Sequence, residues 1–279
     1  MIEFFSIQSI INAIKGQWKT AIIIVLLVPV LAVGISFLFP NLYKSNVIVY
    51  PANNYLNDRN YYYNNSIQNL YSQYGGDDDI DKIIEIGSIK NVLEAICDSL
   101  NLAEHYNINE SNKNLAIYKA GKKLDDRIQF LHTKNNALEI SVWDTDRKKA
   151  ADILLNLLQN INTYILNLQE QRVANEVYLL DSKIQLIKKE LDLYNNATTA
   201  AANISKQAIA LQLAETEKLK ISIIASPNAG RAFYQANKIY TGIKKDKPNR
   251  LLLAIFSSIA GAIFAMLYTI FRQFYKGIK

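Results

Sequence analysis

WKTAIIIVLLVPVLAVGISFLF, residues 18–39, is the stretch that decides the fold. It carries no charge after Lys19, and its length is about the 20 residues that an α-helix needs to cross a hydrocarbon core ~30 Å thick. A counterpart lies near the other end, where LLLAIFSSIAGAIFAMLYTIF, residues 251–271, is again uncharged and is bounded by Arg250 and Arg272. A signal peptide has an apolar run of only about 7–15 residues, which the first stretch exceeds. Pro29 is tolerable in a membrane helix, because neighbouring groups can satisfy the carbonyl it leaves free. Two transmembrane helices, 18–39 and 251–271, therefore flank a central domain spanning 40–250.

The composition fits this segregation. At 279 residues, 50% apolar and 20% charged, the chain is too apolar to be disordered, and its middle is rich in Asn, Lys, Asp and Tyr. Two spans put both termini on one side of the membrane. Lys15 and Lys19 before the first span, and Arg272, Lys276 and Lys279 after the second, favour the cytoplasm for both; Lys244, Lys245, Lys247 and Arg250 oppose this. The net charge of +6 forms no long patch and accompanies no nucleic-acid motif, so anionic lipid headgroups are the expected partner and nucleic acid is not.

Working outward from the first span, Ile2, Phe4, Phe5, Ile7, Ile10, Ile11 and Ile14 recur at near-helical spacing, as in a short amphipathic helix within residues 1–17 lying on the cytoplasmic face. YKSNVIVY, residues 43–50, is a β-branched run stopped by Pro51 and reads as a strand. Residues 53–79, Asn- and Tyr-rich and ending in Gly75-Gly76 and three aspartates, read as a long loop with one short helix. Helical periodicity then runs over 80–106, with Ile83, Ile86, Ile89, Leu93, Ile96 and Leu100 in one stripe, and again over 112–124, with Leu115, Tyr118 and Leu124 packed. The period changes to two for a hairpin: Ile128, Phe130 and His132, a turn at Asn135-Asn136, then Leu138, Ile140 and Val142. These elements make a small α/β base.

At Asp144 or Thr145 a capping residue opens the longest pattern, free of Pro and Gly as far as Asn195. About fifty helical residues reach about 75 Å. The apolar positions run first through Leu154, Leu158, Ile161, Ile165 and Leu168, then slip by five and continue through Val173, Val177, Leu180, Ile184, Ile187, Leu191 and Tyr194. The second series is a heptad seam and demands a partner helix. Residues 204–225, presenting Ala208, Leu211 and Leu219 and stopped by Pro227, supply one, so 144–225 form a long antiparallel hairpin, and 232–243 return as a strand to the base. A two-helix hairpin cannot cover both faces of so long a helix, which leaves a surface for other protomers. Leu180, Ile184, Ile187 and Leu191 on the seam, with Ser257, Gly261 and Ala265 at four-residue spacing on the second span, are the candidate packing residues. Lys244, Lys245, Lys247, Pro248 and Arg250 form a membrane-proximal basic segment.

Little in the chain points to catalysis. It has no Gly-rich phosphate cradle, and His105 and His132 sit in different elements without ligand spacing to a Cys or carboxylate. Asp77, Asp78, Asp79 and Asp81 lack the Gly and distal Glu of a calcium loop and suit a solvated loop ahead of a helix. The single Cys97, among Leu93, Ile96 and Leu100, reads as a small buried hydrophobe. Tyr61, Tyr62, Tyr63, Tyr71 and Tyr74 offer ring faces and hydroxyls that suit stacking on sugars, or loop packing on the base. No catalytic residue, cofactor or metal site is expected.

Three stretches carry a family resemblance: GSIKNVLEAICDSLNL from Gly87, ALEISVWDTDRKKAADILLNLL from Ala137 and KPNRLLLAIFSSIAGAIF from Lys247. With the order of parts, they resemble the Wzz family of polysaccharide co-polymerases along essentially the whole chain, although the family pattern at the second span holds more prolines than Pro248 alone. The resemblance implies an α+β membrane protein of the bacterial inner membrane, with two transmembrane helices flanking a periplasmic domain of small α/β base and long helical hairpin. It also implies a ring of identical protomers that sets the length of O-antigen, capsule or a related lipid-linked glycan together with a Wzy-type polymerase, without catalysing a reaction itself. Residues 272–279 are too short for the kinase half found in some members. The rival readings are an inner-membrane capsule-export adaptor and a membrane sensor ectodomain, the latter lacking an output module after residue 271.

Overall fold

A computed structural model describes residues 16–52, 74–194, 200–225 and 231–277. Its chain divides into two compact units. One gathers the two chain ends, Met1–Lys44 and Gly242–Lys279, with Asp144–Arg147; the other holds Ser45–Trp143 and Lys148–Thr241.

In the first unit, α1 (Trp18–Ser36) and α8 (Arg250–Gly277) are the two apolar helices, and both are long and apolar enough to cross a membrane. α1 ends three residues before the apolar run does, with Phe37 and Leu38 bonded back to Gly34 and Ile35 in a final tight turn. The amphipathic segment anticipated before α1 lies outside the described residues except for its last positions.

The second unit is built on a sheet in the order β2-β3-β1-β4, with β5 also paired to β1. β1 (Tyr43–Pro51) alternates strictly, burying Val47 and Val49 towards the core. β2 (Ile128–His132) and β3 (Leu138–Asp144) pair antiparallel, Ile128 opposite Val142 and Phe130 opposite Ile140, as the period-two pattern requires. The turn between them places Asn136 at φ 52, a left-handed conformation that asparagine tolerates. The return segment differs from the single strand expected over 232–243. It makes two short pieces, β4 (Phe233–Gln235) and β5 (Tyr240–Thr241), both antiparallel to β1. Between them Asn237 Oδ1 accepts the N–H of Ile48 at 2.8 Å, so a side chain stands where the backbone ladder would have continued.

The helix expected over 80–106 is three helices: α2 (Asp77–Gly87), α3 (Lys90–Ser99) and α4 (Leu102–His105). Ile89 is extended, at φ −63 and ψ 128, and Asn101 is left-handed at φ 51. Ile86 and Ile89 remain neighbours across the first break through the bond from Ile89 N–H to Ile86 C=O, which is why the stripe reads continuously through it. Gly87 is needed there, because a Cβ would lie 2.5 Å from Phe130 Cζ. Asp77, Asp78 and Asp79 form the first turn of α2 rather than a loop ahead of it, favoured by the positive end of the helix dipole. α5 (Lys113–Asp125) is capped by Asn112, whose side chain accepts from the N–H groups of Asn114 and Leu115. It buries Ala116, Ala120, Gly121 and Leu124; Leu115 and Tyr118 are exposed, contrary to expectation.

α6 (Arg147–Leu193) has 47 residues. The buried carboxylate of Asp144 accepts from the Asp146 N–H and the Thr145 hydroxyl, both ahead of the first helical residue Arg147, and so shapes the turn that leads into α6. Ile153, Leu154, Leu157, Leu158, Ile161 and Ile165 bury the first half of α6 in the core, whereas Leu168 is 48% exposed and lies beyond it. α7 (Ala200–Ala225) follows; the turn between α6 and α7, and Pro227, fall largely outside the described residues.

Candidate functional site: a membrane helix pair and a helical seam

Within the first unit α1 and α8 pack together along their length. Gly261 and Ala265 are buried, and Ser257 is half-buried one turn earlier. A Cβ on Gly261 would sit 3.2 Å from Val28 Cβ and 3.6 Å from Ile24 O and Val25 Cα, so the small residue lets α8 approach the α1 backbone closely. That turn precedes Pro29, whose missing N–H cannot serve the Val25 carbonyl. Gly261, one of the small residues expected at helix contacts, thus faces the chain's own first helix. Hydroxyls here bond within their helices: Ser257 and Ser258 to Ala254 O, Thr269 to Met266 O, Ser36 to Val33 O. This satisfies polar groups in surroundings without water.

The basic segment closes one end of the pair. Leu42 bonds to Lys247 O at 2.9 Å and accepts from Asp246 N at 2.8 Å, and Gly242 N bonds to Lys44 O. The Lys247–Pro248 peptide is cis. Asn249 caps α8, its side chain accepting from Leu252 N. Arg250 lies 3.9 Å over the Phe37 ring and reaches Asn41 Oδ1, while Lys244, Lys245 and Lys247 are exposed. At the other end Arg272 donates to Gln17 Oε1. Cation–π and hydrogen-bond contacts thus brace the helix pair at both termini.

The distal half of α6 presents Leu180, Ile184 and Ile187 as buried residues, with Leu191 half-buried. On α7 the buried positions are Ala202, Ile209 and Thr216, a strict step of seven, while Ala208 and Leu211, expected to pack, are exposed. Lys220 pairs with Asp181, and Lys188 with Glu217 at 3.0 Å, as antiparallel helices require. A second ladder is left outside. Leu179, Leu186 and Leu193 on α6, again seven apart, are 66%, 66% and 80% exposed.

Among the described residues, no group of three or more His, Cys, Asp or Glu is arranged to hold a metal. Cys97 is 1% exposed, and burial, helped by the Glu94 charge, pushes its thiol up to about 12. His132 lies 3.5 Å from Asp77 at the rim of the hairpin. Of the candidate tyrosines, Tyr61, Tyr62, Tyr63 and Tyr71 lie outside the described residues. Tyr74 stacks 4.9 Å from Tyr50 and edge-on 5.8 Å from Tyr234.

Part of the sequence matches a known family model. Residues 3–100 match the Wzz model, described as chain length determinant protein. No curated protein is similar to the sequence at a significant level. Among solved structures the chain is similar to a full-length bacterial polysaccharide co-polymerase, at 14% identity and a TM-score of 0.39 over 96% of this chain and 97% of that one. It is also similar to a fragment of WzzB, the polysaccharide co-polymerase of Salmonella Typhimurium, at 12% identity and a TM-score of 0.38 over 74% of this chain and all of that one.

The Wzz match covers α1, β1, α2 and α3, and ends before the long helix begins. Tyr50 and Tyr234 escaped the sequence reading because they are cross-strand neighbours from distant segments; only the β1–β4 register brings them together.

Proposed function

We propose that this chain is a non-enzymatic regulator of surface-polysaccharide chain length, working as a homo-oligomer in the bacterial inner membrane beside a Wzy-type polymerase and its lipid-linked glycan. The Wzz match over residues 3–100 carries the reading. Two membrane-length apolar helices support an integral membrane location, and the leucine ladder of α6 supports self-association, because exposed leucines at heptad spacing suit a neighbouring helix. In this reading both termini are cytoplasmic, the central domain is periplasmic, and the stacked hairpins limit growth of the glycan.

Electrophoresis of surface polysaccharide from a deletion strain, with and without the restored gene, tests the proposal. Loss of a defined length band, recovered on complementation, is expected. Complete loss of surface glycan would instead place the chain in export, and an unchanged profile would overturn the reading.

A further inference from the structure

The outward face of the sheet carries a feature that chain-length control does not by itself explain. Tyr50 on β1 and Tyr234 on β4 are directly opposed, on the side away from Val47 and Val49. Tyr74 lies against both rings and is 41% exposed. Its backbone is fixed by the bridge between Ala52 and Tyr74 and by the bond from Gly75 N–H to Pro51 O at 2.9 Å. Gly75 admits no side chain, since a Cβ would lie 2.5 Å from Asp79 Oδ2. The platform is therefore held in place before any ligand arrives.

Across a cleft of about 500 Å³ from Tyr50 and Tyr74 stands the β2–β3 turn, with Lys134, Asn135 and Asn136 all exposed. That size falls in the range of small-ligand sites, ~300–1,000 Å³. Asparagine amides donate and accept, and the lysine ammonium donates. Ring faces on one wall and amides on the other match a pyranose, which has an apolar C–H face and a rim of hydroxyls. A strongly anionic ligand is disfavoured by Asp77, close to the same turn through His132 and 69% exposed.

We infer that Tyr50, Tyr74 and Tyr234, with Lys134, Asn135 and Asn136, form a saccharide-binding platform on the base. That the saccharide is the regulated glycan rests on the proposed function; the sugar chemistry of the site does not.

The test uses the full chain in lipid nanodiscs and lipid-free polysaccharide released from the producing cells, followed by saturation-transfer NMR and titration. Transfer to sugar ring protons is expected. Tyr74→Ala should weaken binding about three- to tenfold, and Tyr74→Phe, which keeps the ring face, by less than about twofold. Asn135→Ala, on an exposed turn that leaves the core untouched, should weaken it about threefold. No transfer to the wild type, or Tyr74→Ala and Asn135→Ala both binding like it, would overturn the platform. If the platform fails while the deletion strain still loses its length band, the regulator reading stands alone. If the glycan binds there and the length band is unaffected by deletion, the platform stands and the regulator reading falls.

Discussion

Removing one heptad from the hairpin puts the length of α6 to a direct test. Deleting residues 181–187 from α6 and 216–222 from α7 excises facing segments, because Asp181 pairs with Lys220 and Lys188 with Glu217. Seven residues preserve the register, so Leu191 and Tyr194 take the seam places of Ile184 and Ile187. The helix loses about 10 Å, at ~1.5 Å per residue, from the roughly 70 Å spanned by its 47 residues, or about 15%. The ion pairs lost are partly exposed to solvent and cost about 1 kcal/mol each, so the shortened chain should fold. If hairpin height sets the glycan, the modal length seen on silver-stained gels should fall by about the same fraction, ~15%. An unchanged mode, with normal protein level and oligomeric state, would refute height as the ruler and move attention to the membrane helices or the base.

Replacing Leu179, Leu186 and Leu193 together by Ser should lower the oligomer size seen by chemical crosslinking in membranes. Each side chain is exposed in the single chain, so its stability should change by no more than about 0.5 kcal/mol per site. Gly261→Leu forces atoms into the Ile24–Val28 turn and should cost about 1–3 kcal/mol, read as a lower melting midpoint in detergent, with Gly261→Ala milder. Ile153→Ala empties a fully buried site and should cost about 2–5 kcal/mol in chemical denaturation. With its thiol raised to about 12 from an ordinary 9.0, Cys97 should react with disulfide reagents at pH 8 about a thousandfold more slowly in the folded protein than in denaturant. Because the unfolded thiol ionises first, stability should fall by about 1.4 kcal/mol per pH unit as pH rises from 9 towards 12, and be unaffected by this group below 9.

The parts most legible in the sequence were those fixed by a single strong constraint. Uninterrupted apolar runs marked both membrane-length helices, and a period of two with Asn-Asn marked the β2–β3 hairpin. Periodicity was a poorer guide to which apolar stripe a helix turns inward. α7 carries Leu211 and Ile209 on different faces, and only the α6 partner selects Ile209. α6 likewise carries the Leu180 series and the Leu179 series one position apart, and the chain buries the first alone. Helix breaks were hidden for a related reason: Ile89 keeps the stripe in phase through an extended residue, and Asn101 ends α3 by a left-handed turn that spacing does not reveal. The tyrosine platform needed a strand register, which no local pattern supplies.

The pairing of α1 with α8 bears on how the protein is made. In the proposed topology α1 enters the bilayer before α8, with the Ile24–Val28 turn and the Val25 carbonyl that Pro29 cannot engage still lacking the glycine face that will cover them. That face arrives only with residues 257–265, after the central domain has been synthesised. Membrane insertion in that topology therefore includes a docking event between α1 and the later α8. A nascent chain halted before α8 would hold a lone, proline-notched span, a natural mark for quality-control proteases.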